Sequence, residues 1–339
     1  MTRMLEEARE APSAIARQLA ADRDVYAGFG AHLRDQGSAA MLTVARGSSD
    51  HAAHFVAYLI MARLGRLVTS LPMSLITLYQ SRLHAEGLVS LAFSQSGQSP
   101  DLVAPTKFFR EHGGVTAAFV NDAASPLAQS AQWVFPLHAG AEKSVAATKS
   151  FIAQMVAGAR VVAAWQQDAA LTAALDALPE SLARAAAEDW SAALPVLKDA
   201  DKLLVIGRGT GLAVAMEAAL KFKETCALQA EAFSGAEVQH GPMALVDEGY
   251  PLLIFAPRGP AHAGLVKLAE DMTARGANVL LAAPAGTPGA TLPLITTAEE
   301  DLDPITAIQS FYPMVEALSR ARGFDPDKPR HLAKVTRTH

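Results

Sequence analysis

The chain has 339 residues, half of them hydrophobic and 19% charged, with a net charge of −5. It is long enough for two ordinary domains with sizeable cores, and it carries no basic block or basic/aromatic pattern, which argues against a nucleic-acid partner. No apolar run approaches the roughly 18–20 residues that span a bilayer, and Met1 to Asp24 lacks a signal peptide's apolar core, so no membrane partner is expected. The one cysteine, Cys226, leaves no intrachain disulfide and fits a reducing, cytoplasmic setting.

Residues 1–35 read as one or two leading helices. Residues 36–165 then alternate strands and helices. Ala40-Met-Leu-Thr-Val-Ala45 is a buried-strand run, followed by Arg46-Gly47-Ser48-Ser49 and a helical stretch. Val89-Ser-Leu-Ala-Phe93, Val115-Thr-Ala-Ala-Phe-Val120 and Trp133-Val-Phe-Pro-Leu137 are further strand runs. Residues 166–200 are alanine-rich and helical, a connector without Gly/Ser tracts. Residues 201–322 repeat the series: Lys202-Leu-Leu-Val-Ile-Gly207, Pro251-Leu-Leu-Ile-Phe255, Asn278-Val-Leu-Leu-Ala-Ala283 and Leu292-Pro-Leu-Ile-Thr296. Arg46 to Arg208 and Phe93 to Phe255 are both 162 positions. Each half reads strand, glycine turn, helix, strand, helix, strand, strand, helix. Continuous apolar strands between helices imply parallel sheets covered on both faces. The fold class is therefore α/β, two tandem doubly wound, flavodoxin-like domains from one duplicated unit. Residues 323–339 read as an extended, proline-broken tail.

In such sheets ligands sit at the carboxyl ends of strands, near the switch in strand order. Two serine-rich turns fall there in the first half: Gly47-Ser48-Ser49 and Ser94-Gln95-Ser96-Gly97-Gln98-Ser99. Ser99 before Pro100 is a helix start, and a helix N-terminus presents N–H groups and positive partial charge to an anion. Pro105, inside the predicted helix, should kink or shorten it. For one loop alone, capping and turn shaping explain the serines; two loops at one predicted edge favour a phosphate. There is no G-x-x-x-x-G-K-[ST] and no complete dinucleotide fingerprint. Hydroxyls without a lysine suit a terminal monophosphate.

In the second half Glu217, Lys221 and Glu224 share one helix face. Periodicity alone reads them as a solvated ion-pair ladder. His240, set against Gly241-Pro242, occupies a tight turn that can aim an imidazole, although a loop histidine is more often structural. His51 and His54 are one helical turn apart with no further ligand to complete a set, so no metal is expected. Cys226 reads as a packing residue.

Taken together, Ser94-Gln-Ser-Gly97, Ala147-Thr-Lys149, Leu220-Lys-Phe-Lys-Glu224, Ala230-Glu-Ala-Phe233, Gly235-Ala-Glu237 and His240-Gly-Pro242 resemble the sugar isomerase (SIS) domain family. Over nearly the whole chain, from Leu5 to Lys334, the resemblance is to the isomerase half of glutamine–fructose-6-phosphate aminotransferase. It makes 36–165 and 201–322 tandem SIS domains. It implies that Ser49, Ser94, Gln95, Ser96 and Ser99, with the neighbouring Gly47 and Ser48, bind a sugar phosphate. It assigns Glu224 as the base between C1 and C2, with Lys221 beside it, and His240 as the ring-opening residue. Lys334, with Ala333, reaches the sugar from the tail, and Val145 supplies a backbone contact. It also implies a homodimer in which His240 serves the neighbouring subunit's site.

Ala147 stands where the synthase has serine and Gln98 where glutamate is usual, which leaves the sugar open. The sequence begins at the isomerase region, and no glutamine-hydrolysing half is expected. The implied reaction is then the reverse: glucosamine 6-phosphate and water giving fructose 6-phosphate and ammonia, without a cofactor. A galactosamine-6-phosphate deaminase, a fructosamine-6-phosphate deglycase or ketose/aldose isomerase, and a non-catalytic phosphosugar-binding regulator are the other readings.

Overall fold

A computed structural model of the chain describes residues 1–37 and 40–334. Three helices lead, α1 (Arg3–Arg9), α2 (Ala11–Ala20) and α3 (Arg23–Gln36), where one or two are expected from the sequence. The first repeat runs β1 (Ala40–Val44), α4 (Ser48–Leu64), β2 (Leu67–Ser70), α5 (Ser74–Thr77), β3 (Val89–Ser94), α6 (Pro100–Glu111), β4 (Val115–Val120), α7 (Pro126–Ser130), β5 (Trp133–Pro136) and α8 (Lys149–Gln166). Short helices α9 (Ala169–Asp176), α10 (Leu178–Ala185) and α11 (Ala193–Leu197) follow. The second repeat runs β6 (Lys202–Gly207), α12 (Gly211–Cys226), β7 (Gln229–Ser234), two 3₁₀ turns (Glu237–His240, Pro242–Leu245), β8 (Pro251–Phe255), α13 (His262–Ala274), β9 (Asn278–Pro284), β10 (Leu292–Leu294) and α14 (Asp303–Ala321).

The strands form two all-parallel sheets, β2-β1-β3-β4-β5 and β10-β9-β8-β6-β7. Read from the other edge, the second order repeats the first, as duplication requires. Each sheet has five strands where four are expected, the addition being an edge strand, β2 or β7. Two compact units result. One comprises Ser13–Glu142, Lys149–Asp176 and the described residues from Ala333; the other comprises Met1–Pro12, Lys143–Thr148 and Ala177–Leu332. The tail reading beyond Lys334 lies outside the described residues.

In the first-sheet unit, β3 is buried at every position, as its uninterrupted run Val89-Ser-Leu-Ala-Phe-Ser94 demands of a strand covered on both faces. Phe93, Phe119 and Phe135 stand opposite one another on β3, β4 and β5 and stack at 4.4 and 4.7 Å. Helix α8 is apolar on nearly every side and is buried except at Ala164 and Gln166. It lies so close to α4 that a Cβ at Gly158 would come within 2.0 Å of Val56 Cγ2. Helix α6 is not shortened by Pro105, which sits buried within its twelve residues. In the second-sheet unit, Leu204, Ile206, Leu252, Ile254, Leu265 and Leu281 form a core beneath α13. No helix among the described residues is long and apolar enough to cross a membrane.

Candidate functional site

The switch in strand order falls between β1 and β3 in the first-sheet unit, and these strands pair directly. Their carboxyl ends therefore deliver the two serine turns side by side. Gly47 is the N-cap of α4, with Ser48 and Ser49 in its first turn. Ser99 is the N-cap of α6 and Pro100 its first residue, yet the Ser99 hydroxyl makes no capping hydrogen bond. Both helices present first-turn N–H groups at this edge. Arg46 and Asp101 tie the loops together at 3.5 Å.

The hydroxyls have a common polarity. Ser94 Oγ accepts the Gly97 N–H at 3.0 Å, Ser96 Oγ accepts the Gln98 N–H at 3.3 Å, and Ser49 Oγ accepts Gln154 Nε2 at 3.0 Å. A hydroxyl that accepts an N–H has its own proton to donate. Three such protons at one sheet edge suit an acceptor-rich anion. Gly97 makes the turn possible: its φ is +63°, and a Cβ there would come within 2.2 Å of Ser125 Oγ. Gln95 is half-buried, and its carbonyl accepts the Asn121 N–H. Gln154, buried on the largely apolar α8, is a site residue that sequence reasoning missed, because its partner lies 105 positions away.

Lys334 and Ala333 belong to the same unit. Lys334 Nζ lies 3.2 Å from Glu142 Oε2, and Glu142 in turn accepts the Ser150 N–H and hydroxyl at the start of α8.

In the second-sheet unit the Glu217–Lys221–Glu224 face is not a solvated ladder. The side chains of Glu217 and Lys221 are fully buried, and Glu224 retains 18% exposure. Lys221 Nζ is 3.3 Å from Glu217 Oε1 and donates to Glu224 Oε2. Burial alone would lower the lysine's pKa; the two carboxylates outweigh it, and the net direction is upward. An ammonium is thus fixed beneath a carboxylate that reaches solvent. Glu224 opens onto a cavity of about 440 Å³ in this unit, lined also by Lys223, Lys328, Arg330 and His331. His240 is exposed at the end of the 3₁₀ turn after β7, on a different element from Glu224. Val145 lies in the 143–148 segment, which buried Glu7 of α1 anchors by accepting the Lys143 and Ser144 N–H groups. Cys226 is buried, and burial pushes its thiol up to about 11. No cluster of three or more His, Cys, Asp or Glu side chains that could hold a metal occurs among the described residues.

Comparison with known proteins gives the family. The SIS domain family model matches residues 33–164 and 196–312. A glutamine–fructose-6-phosphate aminotransferase (isomerizing) of Aeropyrum pernix is 33% identical over 351 residues, covering 98% of this chain and 56% of that protein. The chain spans about half the length of the curated relatives it matches. A crystal structure of a protein provisionally designated a phosphosugar isomerase, from Silicibacter pomeroyi DSS-3, is 44% identical, with a TM-score of 0.91, covering 96% of this chain and 100% of that one. A glucosamine-6-phosphate deaminase of Thermotoga maritima shares the fold alone, at 19% identity and a TM-score of 0.79 over 99% of this chain and 100% of that one. The chain belongs to the SIS domain family, and within it resembles the isomerase half of glutamine–fructose-6-phosphate aminotransferase.

Proposed function

We propose that the chain is an isomerase-type enzyme that deaminates glucosamine 6-phosphate to fructose 6-phosphate and ammonia. The observation that carries the reading is Glu224, a solvent-reaching carboxylate held by a buried ammonium. In the proposed reaction the hydroxyls of Ser49, Ser94, Ser96 and Ser99 hold the phosphate, and His240 assists ring opening. Glu224 removes the proton from C2 of the open-chain 2-amino aldehyde, giving an enolamine, and returns it to C1. The product is a 2-imine with C1 reduced to an alcohol. Water adds at C2 and ammonia leaves, so one water is consumed and no electrons enter or leave. The substrate's own carbonyl and imine accept the electron pair. A positioned general base contributes about 10²–10⁴-fold to such a transfer.

The proposal includes a cytoplasmic setting and a homodimer in which His240 serves the partner's site. The test is incubation with glucosamine 6-phosphate alone, measuring ammonia and fructose 6-phosphate. Equal amounts of both support the reading. Binding without turnover, or turnover only of a ketose or fructosamine phosphate, refutes it.

A further inference from the structure

We propose that Glu142 is the positioning residue that seats Lys334; the catalytic meaning of this seat rests on the reading above. The Glu142 side chain is fully buried at the start of α8. Its Oε1 accepts the Ser150 N–H at 3.1 Å, and its Oε2 accepts the Ser150 hydroxyl at 2.5 Å. A carboxylate is favoured there because the first-turn N–H groups of α8 lack partners within the helix and carry positive partial charge. The same Oε2 takes the Lys334 ammonium at 3.2 Å. Helix α8 thus fixes the carboxylate independently of the tail, and the tail lysine docks onto it, its side chain still 24% exposed.

The chemistry requires an acid at this position. An N–H, an O–H and an ammonium all donate, and only a carboxylate offers acceptors on both oxygens. Glutamine would turn an NH₂ toward one of the three donors. Glu142 therefore sets where the Lys334 ammonium stands, without itself touching a reacting atom.

The test needs no turnover. Full-length wild-type and Glu142→Gln proteins are acylated with acetic anhydride under limiting conditions, and each lysine's rate is read by peptide mass spectrometry. Lys267, an exposed lysine on α13, serves as the internal reference. In the variant, Lys334 should label roughly fivefold faster or more, the scale set by loss of a charge-assisted hydrogen bond, while Lys267 stays unchanged. Glu142→Asp keeps the charge but shortens the reach, and its Lys334 should label at an intermediate rate. Folded Glu142→Gln protein whose Lys334 labels at the wild-type rate overturns the proposal. If that variant does not fold, a wild-type rate in Glu142→Asp does the same. Should the chain act on another substrate, labelling still decides the seat, so the two failures are separable. If the deaminase reading holds, Glu142→Gln should also lower kcat by more than it changes KM, with the aspartate variant in between.

Discussion

Replacing Lys221 by methionine tests the buried charge cluster directly. The substitution keeps the unbranched shape and most of the length of the side chain and deletes the ammonium that stands 3.3 Å from Glu217 and donates to Glu224. Glu224 can lean on solvent, but the Glu217 side chain has no exposure. Removing one partner of a buried pair costs about 3–5 kcal/mol. At about 2–4 °C per kcal/mol for a unit of this size, the midpoint of thermal unfolding near pH 8 should fall by roughly 6–20 °C. The pH dependence supplies the sign. In the wild type the pKa of Lys221 is raised above its ordinary 10.5, so its contribution is complete at neutral pH and is lost only as pH rises through that raised value. Scanning calorimetry of both proteins at pH 8, and of the wild type at rising pH, gives both readings. A loss below about 1 kcal/mol at pH 8 would refute the account of a compensated buried cluster.

Glu224→Gln should lower turnover by about 10²–10⁴-fold while changing phosphosugar affinity by less than about threefold, since the serine turns are untouched; calorimetric titration and product assay separate the two. Gly97→Ala meets both a positive φ and the Ser125 side chain, so it should weaken phosphosugar binding about tenfold or more and raise KM. Cys226, with its thiol raised to about 11, should resist iodoacetamide at pH 8 in the native protein and react at once in guanidinium; rapid native labelling would contradict its burial. Mixed dimers of inactive Glu224→Gln and inactive His240→Ala chains should regain activity, and no recovery in confirmed mixed dimers would mean that each site is self-contained.

Eight of the ten strands among the described residues were legible because strands covered on both faces leave continuous apolar runs, as in Lys202-Leu-Leu-Val-Ile-Gly207. The two missed are edges. Leu67-Val-Thr-Ser70 is short and mostly exposed, and Gln229-Ala-Glu-Ala-Phe-Ser234 alternates polar and small residues. The serine turns could be placed because glycine, serine and Ser-Pro mark strand ends and helix starts locally. Periodicity put Glu217, Lys221 and Glu224 on one face but could not say whether that face meets water or core. What was wholly illegible is long-range. Gln154 behind Ser49, Glu142 beneath Lys334 and Glu7 under the 143–144 backbone pair residues 105, 192 and up to 137 positions apart. Nothing in the local pattern of either partner announces the other.

The second-sheet unit is assembled from three separate stretches, Met1–Pro12, Lys143–Thr148 and Ala177–Leu332. Helix α1 is tied there by Asp327, which accepts the Arg3 and Met4 N–H groups, and by Glu316, which accepts the Thr2 hydroxyl. On the ribosome this imposes an order. The first sheet and α8 can close as soon as Asp176 has emerged, whereas the first dozen residues must wait, unsatisfied, until α14 and Asp327 are made. A contiguous fragment cut at the repeat boundary would carry a second sheet lacking its opening helix and its inserted strip, so the ancestral duplication can no longer be undone by expressing the halves apart.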